Sequence, residues 1–212
     1  VRLYKQLIAL TFCAQLAQAQ TLNIVRVEGQ RVMSFEETVS TYKCASRYFK
    51  KVGINFRVKF FKLTNSPCYL FHSLNKRSSE LNCLSIFSSG RRKTLNYFLT
   101  EPFFEDNADG TQTAWLAGLA KLCGNTSTGN GAARSLINGQ SSASRIEHSG
   151  AIMAHEVMHN MCATHYPDSV QQPSIANIMN PAATRFAEIY GCDIPVLRVT
   201  KRQVKRWYAR NR

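Results

Sequence analysis

Three of the chain's five histidines lie within eleven residues, in the stretch His155-Glu156-Val157-Met158-His159-Asn160-Met161-Cys162-Ala163-Thr164-His165. His155 and His159 are four positions apart, a spacing that on a helix sets two imidazoles on one face, one turn from each other. His165 stands six positions further on and can share that face only if the helix stops and the chain turns back. Three neutral imidazoles around a cation, with a fourth position open, is how catalytic zinc is held. Glu156 then falls beside the open position, where it can take a proton from water. A structural zinc is the competing reading, but such sites are closed by four protein ligands, often cysteines.

A site of this kind needs a sheet to sit on, and the upstream half supplies one. Leu22 to Val27 reads as a first strand. Ser34 and Glu37 have capping-box spacing. After them Phe35, Val39, Tyr42, Phe49 and Val52 recur at helical intervals, and Gly53 stands where a C-terminal cap belongs. Ile54 to Phe60 alternates strictly, apolar on one side and basic on the other, as a strand with one buried face does. Strand, helix, strand at this spacing implies a right-handed crossover and parallel pairing.

Residues 64–94 are rich in Ser, Asn, Lys and Arg and read as an insertion or loop, with Cys68 and Cys83 placed to staple it and His72 on the surface. Leu95 to Thr100 reads as a strand. Glu105 to Gly110 resembles half of a calcium loop but lacks the glutamate six residues after the glycine, so a solvated turn is expected. Thr113 to Ala120 has the small-residue texture of a strand that another backbone can approach closely. Asn125 to Gly131 and Asn138 to Ser144 read as loops, with a short strand from Ala133 to Ile137 between them. His148 is placed on a surface loop. An apolar run from Gly150 leads into the histidine helix. Near the end, Val204, Trp207 and Tyr208 face one side of a short helix whose other side is basic.

Length and composition, at 212 residues and 44% hydrophobic, suit one globular domain able to bury a core. After the first twenty residues no apolar run reaches the eighteen or more that a membrane-spanning helix needs. The first nineteen residues have the three regions of a secretory signal peptide. Arg2 and Lys5 come first, Leu7 to Ala14 is apolar, and Ala17-Gln18-Ala19 offers small residues at the cleavage positions. The expected organisation is therefore a leader at 1–19 and a single catalytic domain at 20–212, secreted or periplasmic. Removing the leader leaves six cysteines, an even number that in an exported chain suggests disulfides, with fifteen pairings open. Net charge is +14, or +12 without Arg2 and Lys5, a balance that favours anionic surfaces, nucleic acid or acidic substrates without choosing among them.

Asn177-Ile178-Met179-Asn180-Pro181, with Met179 fourteen residues after His165, reads as a tight turn carrying a methionine. With this turn, the histidine stretch resembles the metzincin zinc peptidases, whose pattern is HExxHxxGxxH followed by a methionine-containing turn. Gly118-Leu119-Ala120, Cys123, Ser135-Leu136-Ile137, Ala154-His155-Glu156, His159-Asn160 and Ile178-Met179-Asn180-Pro181 follow the order of the reprolysin (adamalysin) branch.

The resemblance implies an α/β (α+β) fold: a mixed, mostly parallel twisted sheet with a long backing helix, an active-site helix and a C-terminal helix. It implies one catalytic Zn2+ on His155, His159 and His165. Glu156 would be the general base for zinc-activated water and then the acid for the leaving amine. Met179 would form a floor under the metal, and Ala182 to Arg185 would line the primed-side pocket. A peptide or protein substrate would lie extended along the strand near Trp115 to Leu119. The resemblance also implies a Cys123–Cys192 disulfide. The expected molecule is a monomeric, secreted zinc endopeptidase.

The chain departs from the family pattern at Cys162, where a glycine is usual. That glycine leaves the helix in a left-handed conformation, which costs a residue with a Cβ about 1 kcal/mol or more. A disulfide from Cys162 could hold the turn; the alternatives are a metal ligand or a redox switch. The residue after His165 is Tyr166, where an acidic residue is common. The different-class alternative is an inactive scaffold whose basic C-terminal helix binds an anionic envelope or nucleic acid. Intact Glu156 speaks against it.

Overall fold

The computed structural model describes residues 20–27, 32–64, 67–68, 77–88, 94–100, 105–106, 112–113, 118–130, 142–165, 175–181 and 183–211. The strands are β1 (Thr21–Val27), β2 (Arg57–Leu63), β3 (Thr94–Thr100), the short pair β4 (Glu105–Asp106) and β5 (Gln112–Thr113), β6 (Gly118–Ala120) and β7 (Thr126–Asn130). The helices are α1 (Phe35–Lys51), α2 (Arg77–Ile86), α3 (Ser142–Asn160), α4 (Ala183–Tyr190) and α5 (Arg198–Arg210), with a 3-10 turn at Gly191–Asp193.

Five strands form one sheet in the order β2-β1-β3-β7-β6. The first four run parallel, as the β1-α1-β2 crossover requires, and β6 closes the sheet antiparallel to β7. This is the mixed, mostly parallel sheet with backing helices that the sequence implied. All seven residues of β3 are buried, because both faces of the central strand are covered. Leu95, Tyr97 and Leu99 enter the main core under α1 and α3, together with Leu22 and Ile24 of β1. Phe98, Val25 and Val27 face the other way, against Leu84 of α2 and Cys68.

The Ser34–Glu37 capping box forms in both directions, with Glu37 N–H donating to Ser34 Oγ at 3.2 Å and Ser34 N–H to the Glu37 carboxylate at 2.9 Å. Such a cap is worth about 1 kcal/mol. Gly53 ends the helix region at φ +79, as expected. The buried stripe of α1, however, is Thr38, Thr41, Cys44, Ala45, Tyr48 and Phe49. Phe35 lies half exposed beside Phe60. Threonines, a cysteine and a tyrosine fill positions that an apolar count passes over.

Three further differences concern boundaries. β2 runs from Arg57 rather than Ile54, whose side chain is buried ahead of the strand. Residues 64–94 contain a helix, α2, packed near β7, where a loop was expected. Residues 126–130 of the expected Asn125–Gly131 loop form β7, whose Thr126, Ser127 and Thr128 are buried by neighbours on both faces. The expected strand at 133–137, His72 and most of the calcium-like turn lie outside the described residues.

Three disulfides form: Cys68–Cys83, as expected, Cys44–Cys192 and Cys123–Cys162. The implied Cys123–Cys192 bond is therefore incorrect. The Gly191–Asp193 turn lies against α1, where Tyr48 Oη donates to the Gly191 carbonyl at 3.1 Å and Lys51 pairs with Asp193 at 3.1 Å. Cys192 thus meets Cys44. Cys123 is held at the other end of the fold, with its N–H on the His159 carbonyl at 2.9 Å, next to Cys162.

α5 buries Thr200, Val204 and Trp207 and exposes Arg198, Arg202, Lys205, Arg206 and Arg210. Among the described residues no helix is long and apolar enough to cross a membrane.

Candidate metal centre

α3 begins at Ser142, earlier than the apolar run suggested, so His148 lies on a half-buried helical turn rather than a surface loop. Its middle, Ala151 to Met158, is buried throughout. The helix ends at Asn160 and the chain turns back through Met161-Cys162-Ala163. Cys162 takes the left-handed conformation, φ 64, that the pattern gives to glycine. Its N–H donates to the His159 carbonyl at 2.9 Å, and Ala163 N–H donates to the Met158 carbonyl at 2.9 Å, closing the helix. Cys123 is also left-handed, φ 57, so the Cys123–Cys162 disulfide joins two turns of the same hand. Asn160, whose role the sequence did not reveal, ties the helix end to the β6–β7 turn. Its amide donates to the carbonyls of Lys121 and Thr126, both at 3.0 Å.

The turn brings His165 to the other two histidines. The three Nε2 atoms stand 3.0 Å (His155–His159), 3.1 Å (His155–His165) and 3.1 Å (His159–His165) apart. His155 is buried, His159 intermediate and His165 exposed, so the cluster opens to one side. The partners of the other ring nitrogens decide what this convergence means. His155 Nδ1 lies 2.7 Å from the Ile178 carbonyl, and His159 Nδ1 lies 2.7 Å from the Ala163 carbonyl. A carbonyl only accepts, so both Nδ1 atoms carry the proton.

Burial pushes the His155 imidazole down to about 3 and lowers His159 and His165 as well, so the rings are neutral near pH 7. A neutral ring protonated at Nδ1 has only a lone pair at Nε2. Two such lone pairs face each other across 3.0 Å, a repulsive contact unless a cation lies between them. Ligands about 2.0–2.1 Å from a tetrahedral zinc stand about 3.3–3.4 Å from each other, so the trio fits that ion closely. The carbonyls that fix the His155 and His159 rings are the outer partners that metal-bound histidines ordinarily have.

The turn at 177–181 is part of this support. Met179 is fully buried and its N–H donates to Asn177 Oδ1 at 2.9 Å, while Ile178 presents its carbonyl to His155. Asn180 anchors the turn through the Ile175 carbonyl at 2.9 Å. The sequence pointed to Met179. The structure adds that Ile178 orients His155 from a turn that Asn177 braces.

Glu156 is buried, and burial pushes its carboxyl up to about 8. It lies against the edge strand: a Cβ on Gly118 would stand 2.6 Å from Glu156 Cγ and 2.9 Å from Oε1. Gly118 therefore lets β6 pass directly over the carboxyl. β6 is an outer strand of the sheet, the position that the resemblance gives to the substrate-binding edge. Trp115 to Ala117 lie outside the described residues.

A family model described as metallo-peptidase family M12 matches residues 28–190. The fold is similar to the crystal structure of archaemetzincin from Methanopyrus kandleri, with a TM-score of 0.61 and 15% identity over 92% of this chain and 98% of that one. No curated protein matches the chain.

Proposed function

The chain belongs to metallopeptidase family M12, and on that premise we propose an exported zinc endopeptidase in which His155, His159 and His165 hold the metal and Glu156 is the general base. The observation that carries this reading is the pair of Nε2 lone pairs, on His155 and His159, aimed at one point that His165 also faces. When bound, Zn2+ supplies a Lewis acid that polarises the scissile carbonyl and eases the deprotonation of water.

The chain's own residues do the rest. Glu156 takes a proton from the attacking water and hands it to the leaving nitrogen. With the metal bound, the Glu156 carboxyl would be held ionised against the effect of burial. The edge strand β6 (Gly118–Ala120) holds an extended peptide or protein substrate by strand addition, with the scissile carbonyl facing the histidines. Met179 supports the histidines from below.

Cleavage of an unfolded protein substrate, followed by chromatography and mass spectrometry of the fragments, tests the reading. Internal cuts should appear, stop with a chelator and return when zinc is added back. Cuts that persist in chelator would refute it.

Export rests on the character of residues 1–19 and on the three disulfides, which persist in oxidising compartments. The mature protein, acting as a monomer in the secreted or periplasmic space, should have an intact mass beginning at Gln20. The five exposed cations of α5 suit an anionic surface. Retention on a polyanion column that falls steeply with salt, and weakens in an Arg202→Ala, Arg206→Ala variant, would bear this out.

A further inference from the structure

Tyr97 is fully buried, on the face of β3 that packs against α3. Its ring leans towards Gly129 of β7, and a Cβ on Gly129 would overlap the phenolic oxygen. Gly129 is paired directly with Gly118 of β6. Paired residues of an antiparallel ladder project on one face, with Cβ positions about 4.5–5.5 Å apart. One of these two adjacent empty slots is filled by the Tyr97 hydroxyl and the other by the Glu156 carboxyl. Ile152, one helical turn before Glu156, closes the Tyr97 side, with Cγ2 3.0 Å from the Gly129 slot.

The Tyr97 hydroxyl has no hydrogen-bond partner among the described residues. Burial raises the Glu156 carboxyl above its ordinary range. A phenylalanine at 97 would fill the same volume without burying an unpaired hydroxyl, so the oxygen calls for a partner. A group of suitable chemistry, the Glu156 carboxylate, lies in the adjoining slot, and its charge is felt at the phenol.

We propose that Tyr97 is a positioning residue for Glu156: its hydroxyl donates to the carboxylate and holds it between the edge strand and the three histidines. The two groups are neighbours without a hydrogen bond between them in the structure, and the Glu156 side chain is the one that moves to close the contact. Burial, reinforced by the Glu156 charge, raises the phenol well above its ordinary range, so it remains a donor throughout the working pH range. The inference rests on the assignment of Glu156 as general base.

Four zinc-loaded proteins test it: wild type, Tyr97→Phe, Glu156→Ala and the double variant. Tyr97→Phe should keep its zinc and its KM and lose roughly tenfold in kcat, a fraction of the 10²–10⁴ that a positioned general base supplies. It should lower the thermal unfolding midpoint in the wild-type background, and leave it unchanged or raise it in the Glu156→Ala background, where the hydroxyl has nothing to hold. An unchanged kcat overturns the proposal, as does an equal midpoint shift in both backgrounds. If the wild type cleaves nothing, the peptidase reading fails on its own, and the midpoint comparison still decides the Tyr97–Glu156 contact.

Discussion

Gly118 and Glu156 share one space: the carboxyl side chain occupies the place where any side chain on Gly118 would stand, 2.6 Å from Cγ. The Thr128 carbonyl crowds the same point from the other side, at 2.7 Å. Backbone cannot swing away as a side chain can, so Glu156 would have to yield. Gly118→Ala should cost about 1–3 kcal/mol of stability by overpacking. It should cost about a hundredfold in turnover, because the carboxylate proposed as base is displaced. Steady-state kinetics beside urea unfolding checks both figures; near-normal turnover would show that Glu156 tolerates the displacement.

The buried ionisable groups give the metal-free protein a defined response to pH. His155 is lowered from 6.5 to about 3, so between those values the unfolded chain binds the extra proton and stability falls as pH falls. Glu156 is raised from 4.5 to about 8, so between those values the folded protein binds the extra proton and stability falls as pH rises. After chelation, Glu156→Gln should therefore gain stability relative to wild type as pH increases from about 4.5 to about 8. Thermal melts in chelator at intervals across that range follow the difference. A constant difference would mean that Glu156 is not buried as an acid.

Cys162 answers two needs at one position, a left-handed turn and a covalent tie to Cys123. Separating them requires a background without the tie. With Cys123→Ser already present, Cys162→Gly should be more stable than Cys162→Ala by roughly 1 kcal/mol, because alanine keeps the left-handed penalty. Zinc competition titrations should rank the two variants in the same order, since the turn carries the chain from His159 to His165. Equal stabilities would indicate that the turn relaxes out of its left-handed form once the disulfide is gone.

Cys44–Cys192 spans 148 residues of sequence and fastens α1 to the turn ahead of α5. Replacing both cysteines with serine should cost about 2–5 kcal/mol, a large share of a domain's stability. Denaturant unfolding measures it. The Cys68→Ser, Cys83→Ser variant should lose less, since its loop has a sequence separation of only 15.

These disulfides also mark the limits of what was legible in the chain. The short Cys68–Cys83 bond could be anticipated because sequence proximity nearly forces it. Cys44 and Cys123 find their partners through the packing of α1 and the β6–β7 turn, which no local pattern encodes. The metal cluster was legible because helical periodicity fixes His155 and His159 and a turn must follow for His165. Its outer support was not: the Ile178 and Ala163 carbonyls are backbone groups without a residue signature. β7 went unread because Thr126-Ser127-Thr128-Gly129-Asn130 has loop composition, yet residues 126–129 are buried and 127–129 are paired on both sides. Nothing in the sequence sets Tyr97 apart within its strand, and only the paired glycines beside it draw attention to its hydroxyl.

Glu156→Gln, compared with wild type for zinc content and for cleavage of an unfolded protein, bears most directly on the role of this centre. The amide keeps the shape and leaves the three histidines untouched, but cannot accept and return a proton. The variant should hold one zinc per chain, as the wild type does, and lose at least about a thousandfold in turnover, within the range that a general base contributes. Full zinc with undiminished cleavage would contradict the assignment of Glu156 as the base.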